Sequence, residues 1–368
     1  MKTKIAYIIP TLSLGGAEKQ QVNILNCINT DKYEVTLFVL RSNVKLFSLI
    51  KQKNVKVKIY DINSIKDIKK FLQFILDIKK FDPHIIHSHM YNANILARML
   101  KIIIPNTKII NHYHGLSNWL NKWKLFIEKA TIFLVDKFIV VSEESYKVRL
   151  KRERFPKEKM ILLINSVDFV NDERECETIT NSQRNKIVIG MASRLIKLKN
   201  IEGALFLIKY LIDSNINVEL KIAGEGEHKS NLIKYAEELD IQDKVKFLGY
   251  VKNMKDFYKQ IDIYCISSYT EDMPLSILEA SMSGKPIISS NLEGIKRLFK
   301  KEKECIIFVD DFFEISELKK VINFIQSINS YNCCKKLIKF SKENFSNIKY
   351  CELIENLYKE MINEKNCN

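Results

Sequence analysis

Short apolar runs, rich in Ile and Val, alternate along the chain with longer amphipathic stretches. The runs are bounded by polar or turn residues, which is typical of buried strands. In the first half of the chain they read KIAYII, YEVTLFVL, VKVKIY, HIIHS, TKIINHY, DKFIVVS and MILLI. The stretches between them, such as AEKQQVNILNCI and IKDIKKFLQFILDIKK, have helical periodicity. This alternation predicts parallel sheets with helices on both faces.

The alternation breaks at residues 165–186, which read NSVDFVNDERECETITNSQRNK. This polar, acidic stretch has no strand or helix period and indicates a linker, after which strand-like runs resume. We therefore predict an α/β protein with two doubly wound, Rossmann-like domains facing each other across a ligand-binding cleft. The predicted parts are a first domain, a linker, a second domain and a final helix packing back on the first domain, over residues 1–168, 169–185, 186–345 and 346–368.

Composition narrows the protein class. The chain has 368 residues, of which 46% are hydrophobic, enough for two cores. It has no run of about 18 apolar residues, so no membrane-spanning helix is expected. The start, MKTKIAYIIPTL, lacks a small-residue cleavage site and is interpreted as a first strand rather than a signal peptide. The eight Cys form no CxxC pair, and we expect reduced thiols in a cytosolic protein.

The net charge of +15 is confined to one half of the chain. Residues 1–168 hold 29 Lys and Arg against 14 Asp and Glu, whereas the remainder holds 30 of each. The first half is therefore expected to face an anionic lipid surface, an acidic substrate or nucleic acid. Nucleic acid is disfavoured because the chain has no helix-turn-helix, zinc or RRM-like signature.

Two loops that follow predicted strands suit phosphate groups. PTLSLGGAEKQ places Gly15 and Gly16 before a helix, where the backbone can approach a ligand. MASRLIKLKN places Arg194 and Lys199 after the first strand of the second domain, and such a pair suits a diphosphate. The alternatives are an ordinary turn for the first loop and a solvated basic loop for the second.

Four histidines follow predicted strands of the first domain. His112 and His114 lie in NHYHG and would point to one face of the sheet, where a neutral imidazole could hydrogen-bond a sugar or phosphate. His87 and His89 lie in HSH after another strand. A metal site is disfavoured, because no acidic or Cys ligand has fitting spacing.

The segment EDMPLSILEASMSGKP, residues 271–286, carries two acids around a predicted helix start. Pro274 suits the first turn, Asp272 could cap it, and the helix would stop at Gly284. Glu271 then stands just before the helix and Glu279 inside it. The helix start could bind a diphosphate while the two acids hold flanking hydroxyls. The alternative is a capped helix with an incidental surface Glu.

Together these motifs resemble the retaining nucleotide-sugar glycosyltransferases of the GT-B fold, family four. The E-x7-E signature corresponds to Glu271 and Glu279, and the donor-phosphate cations to SRLIKLKN. The glycine loop SLGGAE, the HG pair at 114–115, NSVD at 165–168, AGEGEHKSNL and LGYV also match in order. The resemblance covers nearly the whole chain.

The resemblance implies a role for each matching residue. Gly16, within the Gly15–Gly16 loop, would meet the donor phosphates or the reacting sugar, and His114 would contact that sugar. Arg194 and Lys199 would neutralise the departing diphosphate. Donor-binding residues at and after the helix start would be Leu275 and Ser276, with Glu271 on the sugar hydroxyls and Glu279 on the ribose. The family implies no metal and no other cofactor.

Several positions depart from the family pattern. Asp272 and Ser193 stand where a Gly is usual, and Ser166 replaces the Gly of NGVD. In NLEGIKRL, Glu293 replaces the first Gly and Arg297 the Glu of a Gly-Gly-x-x-Glu loop. The usual role of that loop near the donor is therefore in doubt.

The expected activity is retaining transfer of a hexose or N-acetylhexosamine from a UDP-sugar to a lipid-linked glycan during surface polysaccharide synthesis. The acceptor would be linked to polyprenyl diphosphate, and the protein would associate peripherally with the inner face of the cell membrane. The alternatives are a soluble transferase of the same fold with a non-lipid acceptor and a nucleotide-sugar epimerase.

A membrane contact is predicted for residues 115–138. Trp119, Trp123, Phe126 and Ile127 recur at helical spacing beside several Lys. Residues 146–159 would add a second basic helix carrying Phe155. Aromatic anchors among basic residues suit an anionic leaflet. The alternative is that this segment packs on the sheet.

Overall fold

The computed structural model describes residues 2–64, 66–116, 121–169, 176 and 186–366, with side chains up to residue 363. Its contacts divide the chain into two compact units, Met1–Ser166 with Asn347–Asn368, and Val167–Ser346. These are called unit 1 and unit 2. Most of the predicted linker lies outside the described residues.

Unit 1 contains a seven-stranded parallel sheet with the order β3-β2-β1-β4-β5-β6-β7. Its strands are β1 (Thr3–Ile9), β2 (Tyr33–Val39), β3 (Lys56–Ile59), β4 (Ile85–His89), β5 (Lys108–Tyr113), β6 (Lys137–Val140) and β7 (Met160–Leu162). The helices between them are α1 (Gly16–Cys27), α2 (Ile68–Phe81), α3 (Tyr91–Ile103), α4 (Lys122–Thr131) and α5 (Glu143–Val148).

Both faces of this sheet are covered, which explains why its central strands are apolar throughout. Along β1, Ile5 and Tyr7 pack into the core that contains α1 residues, whereas Ala6 and Ile8 pack into the core on the opposite face. That second core takes Phe74 of α2 and residues of α3. The predicted doubly wound architecture is confirmed for unit 1.

Unit 2 repeats the plan with a six-stranded parallel sheet of order β10-β9-β8-β11-β12-β13. Its strands are β8 (Ile187–Ala192), β9 (Val218–Ala223), β10 (Val245–Gly249), β11 (Ile263–Ile266), β12 (Ile287–Ser290) and β13 (Ile306–Val309). Its helices in the described part are α6 (Ile201–Asp213), α7 (Lys229–Glu238), α8 (Met254–Lys259), α9 (Leu275–Met282), α10 (Glu293–Leu298), α11 (Ile315–Ser327) and α12 (Ser330–Phe345). The strands β8 and β11 are neighbours, so their following loops meet at one sheet edge.

The last helix, α13 (Asn347–Asn366), belongs to unit 1 rather than to the unit that precedes it in sequence. Ile354, Leu357 and Met361 pack into the same core as α1. Tyr358 is fully buried and reaches the end of β4. The chain therefore returns to unit 1, and α13 completes the hydrophobic core of that unit.

Four cysteines are paired in the structure, so the expectation of reduced thiols is wrong for them. Cys27 of α1 is bonded to Cys351 of α13, with their Cα atoms 6.1 Å apart. Cys176 is bonded to Cys334 of α12. Their separations of 324 and 158 residues explain why sequence spacing gave no sign of either pair.

Within the described ranges, no helix combines the length and the apolar character needed to cross a bilayer.

Candidate functional site

In unit 2, the loops after β8 and β11 bring together a lysine and a glutamate that sequence analysis had selected separately. Lys199 Nζ lies 2.5 Å from Glu271 Oε1. Ser268 Oγ donates to the same carboxylate oxygen at 2.8 Å. The Lys199 and Glu271 side chains are about seven-eighths buried, which strengthens the ion pair relative to one in open water. The carboxylate is thus held in one orientation at the carboxyl end of the sheet.

Arg194 lies in the same loop but is exposed. Its guanidinium makes no hydrogen bond or ion pair with the residues that the structure describes. The guanidinium, with its fork of N–H donors, can therefore bind an anion near the sheet edge that carries the Lys199–Glu271 pair.

The loop that carries Arg194 is held by a second loop, after β9. A Cβ added at Gly224, whose φ is +142°, would lie 1.8 Å from the Ser193 carbonyl oxygen. A Cβ at Gly226 would lie 2.2 Å from the Leu195 carbonyl oxygen. Only glycine permits this close backbone approach. These two glycines were not selected as site residues, yet the shape of the cationic loop depends on them.

Helix α9 begins and ends close to where the sequence placed it. Its N-cap residue is Pro274, which makes no side-chain capping hydrogen bond, so the N-cap position is not Asp272 as predicted. Proline already supplies the backbone angles of the entry, and Leu275 and Ser276 form the first turn. Gly284 ends the helix with φ of +67°, as predicted.

Glu279 lies on α9 and is buried, unlike an incidental surface glutamate. Tyr258 of α8 donates toward its Oε2 at 3.2 Å and toward the Ser276 carbonyl oxygen at 2.9 Å. Burial, followed by the charge of Glu279, raises the pKa of Tyr258 well above its ordinary value, so this hydroxyl stays protonated. Tyr258 therefore orients Glu279, a partner that sequence analysis missed.

In the α10 region, the two residues that depart from the family loop pair with each other. Glu293 and Arg297 face each other on this helix, with Arg297 Nε 2.6 Å from Glu293 Oε1. Both side chains are substantially exposed. The two replaced positions thus form a surface ion pair with each other.

In unit 1, a carboxylate side chain of the protein itself lies against the glycine loop. Gly15 precedes α1 in an extended conformation, and Gly16 is its first residue. The carboxylate of Glu18 accepts hydrogen bonds from Thr11 and Ser13, and a Cβ on Gly15 would lie 2.2 Å from it. Because this carboxylate sits at the positive end of α1, it disfavours a phosphate there. The two glycines provide space at this turn, and their predicted phosphate contact stays a prediction.

The four histidines at the ends of β4 and β5 form one stack. Neighbouring ring centroids lie 4.1 to 4.7 Å apart along the series His87, His89, His112 and His114. The prediction that His112 and His114 share a face is confirmed. His114 Nε2 is 2.8 Å from His89 Nδ1. Burial lowers the pKa of His114 to about 3, so it is a neutral hydrogen-bonding group at neutral pH.

The opposite face of β5 carries a buried ionic network. Arg98 pairs with Glu128 of α4 at 2.7 Å, with both side chains fully buried. Arg98 also donates to Tyr113 at 2.6 Å. Arg149 stacks on the Tyr113 ring, with its Cζ 3.8 Å from the centroid, and donates to the Gly115 carbonyl oxygen at 2.8 Å. This network fixes the turn that carries His114, and it was missed because its members are dispersed in sequence.

The aromatic residues that were predicted to contact a membrane differ in their exposure to solvent. Trp119 lies outside the described residues. On α4, Trp123 is 78% and Phe126 is 63% exposed, whereas Glu128 is buried, so this helix does not pack its aromatic side on the sheet. Phe155 is only 2% exposed and contacts Phe138, so its predicted place on a second membrane helix is wrong.

Phe155 is buried because the chain leaves α5 through a π-helical turn, Arg149–Glu153. This turn directs Arg149 and Glu153 inward as a buried pair, and Phe155 follows them into the core. A uniform 3.6-residue period cannot anticipate that rotation.

Each of the two parts of the chain matches a known protein family. Residues 14–170 match the model "Glycosyltransferase Family 4", and residues 172–344 match "Glycosyl transferases group 1". A galactosyltransferase of Escherichia coli, named UDP-Gal:alpha-D-GlcNAc-diphosphoundecaprenol alpha-1,3-galactosyltransferase, is 25% identical over 99% of this chain and 98% of its own. A Campylobacter jejuni alpha-1,4-N-acetyl-D-galactosaminyltransferase acting on an undecaprenol-linked glycan is 26% identical over 99% of both chains.

Among solved structures, Anabaena HepE in complex with UDP and glucose superposes with a TM-score of 0.80 at 15% identity. The match covers 97% of this chain and all of that one. Two parallel-sheet units, the motifs at their strand ends and the two family models together cover almost the whole chain. The chain belongs to the glycosyltransferases of the GT-B fold, with a family-four first part and a group 1 second part.

Proposed function

We propose that this glycosyltransferase transfers a hexose or N-acetylhexosamine, with retention of configuration, from a UDP-sugar to a lipid-linked glycan in surface polysaccharide synthesis. The observation that carries the proposal is the Lys199–Glu271 pair beside the exposed Arg194. It combines a fixed carboxylate with two cations in the loops that follow two neighbouring strands. The two named relatives, which act on undecaprenol-linked glycans, support the acceptor class.

The donor roles follow from the charges in unit 2. Arg194 and Lys199 would neutralise the diphosphate as the glycosidic bond breaks, because negative charge develops on the leaving group. Lys199 would shift part of its interaction from Glu271 to that group. Glu271 would then hold the sugar hydroxyls, and Glu279, oriented by Tyr258, would hold the ribose.

In unit 1, His114 would contact the transferred sugar as a neutral donor or acceptor. We propose that transfer proceeds without a metal ion, with the proton passing from the acceptor hydroxyl to the leaving phosphate. Neither Glu271 nor Glu279 is assigned as a nucleophile. The departing diphosphate, stabilised by the two cations, would serve as the base.

The acceptor side is proposed to lie at an anionic membrane surface on the inner leaflet. The exposed aromatics of α4 and the wholly first-half location of the net charge support this. Further apolar side chains are exposed on α2, whose Leu72 and Leu76 are more than half exposed.

The test uses purified protein, radiolabelled UDP-glucose, UDP-galactose and their N-acetyl forms, and an undecaprenyl-diphosphate-linked sugar. The expected product is a lengthened lipid-linked glycan whose new linkage keeps the donor's anomeric configuration by NMR. Conversion of the donor without acceptor would establish an epimerase instead. Transfer only to free sugars would establish a soluble transferase. The Glu271→Gln variant is the control for contaminating activity.

A further inference from the structure

The histidine stack in unit 1 has a chemistry that the proposed transfer does not use. His87 and His89 lie two residues apart on β4, and His112 is the register partner of His89 on the adjacent strand β5. Alternation along the two strands brings these three imidazoles to one sheet face. Each imidazole can offer one ring nitrogen as a ligand, and these three atoms lie within 4.8 Å of one another. His87 Nε2 also lies 3.3 Å from His112 Nδ1, and a bound ion would replace this contact.

Two of these imidazoles have a nitrogen without a partner. The Nε2 atoms of His89 and His112 are buried and make no hydrogen bond to any residue in the described ranges. A buried polar atom left in this state costs free energy unless a ligand occupies it.

The other side of the rings is engaged. His87 Nδ1 is 2.6 Å from the hydroxyl of Tyr358, and that hydroxyl is 2.7 Å from the hydroxyl of Tyr7. His89 Nδ1 is 2.8 Å from His114 Nε2. Histidines that ligate metals characteristically use one nitrogen for the ion and fix the ring through the other.

We propose that His87, His89 and His112 form a binding site for a divalent transition-metal ion that prefers nitrogen ligands, with Zn²⁺ as the occupant. Three imidazoles leave one position of a tetrahedral ion open for water or an anion. Mg²⁺ and Ca²⁺ do not fit, because they prefer oxygen ligands. With Zn–N bonds of about 2.0 Å, the nitrogens would have to approach to roughly 3.3 Å of one another, which requires small side-chain rotations.

Occupation of this site would affect His114 through His89. The ion would place positive charge beside His114 and fix the tautomer of its hydrogen-bond partner. We therefore expect Zn²⁺ to inhibit transfer, whereas a chelator leaves transfer intact. The inhibition rests on the proposed role of His114, but metal binding itself does not.

The experiment titrates the chelator-stripped full chain with Zn²⁺ by calorimetry and with Co²⁺ by visible absorption, in the absence of donor and acceptor. We expect one ion per chain with a Kd below about 1 μM and cobalt bands of a four-coordinate site. His89→Gln and His112→Gln should each weaken binding at least about 100-fold, since losing a ligand exceeds the effect of losing an outer-shell partner.

Two controls separate this site from other donors. His228→Gln removes a histidine of unit 2, and the double variant Cys305→Ser, Cys333→Ser removes two buried free thiols. Both should keep wild-type affinity. Circular dichroism checks that each variant is folded.

X-ray absorption of the zinc-loaded wild-type chain decides the matter even if a histidine variant misfolds. A shell of nitrogen and oxygen with the scattering of about three imidazoles supports the proposal. Sulfur in that shell, unchanged affinity in folded His89→Gln, or no binding at about 100 μM Zn²⁺ would overturn it. If zinc binds as expected but the transferase assay shows no activity, only the proposed function fails.

Discussion

Lys199 and Glu271 hold each other across the ends of two neighbouring strands, with Arg194 exposed close by in sequence. Changing Arg194 or Lys199 to Ala should lower kcat/KM about 100-fold or more, because each removes charge that stabilises the leaving diphosphate. Steady-state kinetics with the true donor measure this. Lys197→Ala is the matched control, since Lys197 is an exposed cation in the same loop. Near wild-type turnover of both variants would exclude these cations from the reaction.

The two acids should separate kinetically. Glu271→Gln should reduce kcat, because Glu271 is assigned to the reacting sugar, whereas Glu279→Gln should mainly weaken nucleotide binding. Calorimetric titration with UDP measures the second effect directly. Tyr258→Phe, which removes the hydroxyl that orients Glu279, should give a smaller loss in the same direction. Unchanged UDP affinity in Glu279→Ala would show that the ribose assignment is wrong.

The sequence identified the charged residues of the candidate site but not the residues that support them. Arg194, Lys199, Glu271 and Glu279 lie in motifs with fixed local spacing, so they could be read directly. Their supports could not, because a residue such as Tyr258 reaches Glu279 from another helix, 21 positions away. The glycines that shape the cationic loop lie in the motif AGEGEHKSNL, but the motif does not reveal their close approach to the backbone of Ser193 and Leu195.

Among the elements, the turn after α5 is stabilised by a buried charge pair. Arg149 donates to Glu153 at 2.7 Å and to the Gly115 carbonyl oxygen at 2.8 Å. Arg149→Met should destabilise unit 1 by about 3 to 5 kcal/mol, because it leaves the Glu153 carboxylate buried without its partner. Urea unfolding followed by circular dichroism measures this.

The double variant Arg149→Met, Glu153→Leu separates the pair from its surroundings. It removes both charges, so it should recover much of the lost stability. If catalysis remains impaired in the stable double variant, the Gly115 contact positions the turn with His114. No recovery of stability would show that packing on Tyr113, rather than charge, dominates.

At the start of unit 2's sheet, Glu219 of β9 lies between two lysines. Lys186 Nζ is 2.5 Å from its Oε2, and Lys246 Nζ is 3.1 Å from its Oε1. Burial alone would raise the pKa of Glu219, but hydrogen bonds and charge from both lysines lower it below its ordinary value. Its stabilising effect is therefore present above about pH 4.5 and is lost as the pH falls further.

Glu219→Gln should consequently lower the free energy of unfolding by about 1 kcal/mol at pH 7, since both lysines are partly exposed. Thermal unfolding of wild type and variant between pH 3 and 7 measures the difference. It should shrink toward the acid end. A difference that is constant with pH would show that the charge of Glu219 does not contribute.

For the whole molecule, the alternation of strands and helices predicted both parallel sheets, because each βα unit is a local pattern. The return of α13 to unit 1 gives contacts that no local pattern encodes. Tyr358 meets His87 across 271 positions, and Cys27 meets Cys351 across 324. Long-range partners of this kind depend on the completed fold, so the histidine stack could be read only as two separate motifs.

The distribution of charge and exposed aromatics leads to a prediction for the whole protein. Trp123 and Phe126 are exposed on α4, whose other face is fixed by the Arg98–Glu128 pair. The full chain should float with liposomes that contain anionic phospholipid. Each basic residue near the membrane surface contributes about 1 kcal/mol to the binding free energy. At physiological ionic strength, salt screens this attraction over distances longer than roughly 8 Å. Binding should therefore be reversible and weaker in high salt.

Two double variants separate the contributions to this binding. Lys122→Ser with Lys124→Ser should reduce the salt-dependent part, while Trp123→Ser with Phe126→Ser should reduce what remains in high salt. The matched control is Ile233→Ser with Lys234→Ser on α7 of unit 2, another exposed apolar and basic pair. Flotation is compared at low and high salt with folding checked by circular dichroism. If the protein stays with the unbound fraction in both salts, or if the α4 variants float like the control, α4 does not contact the membrane.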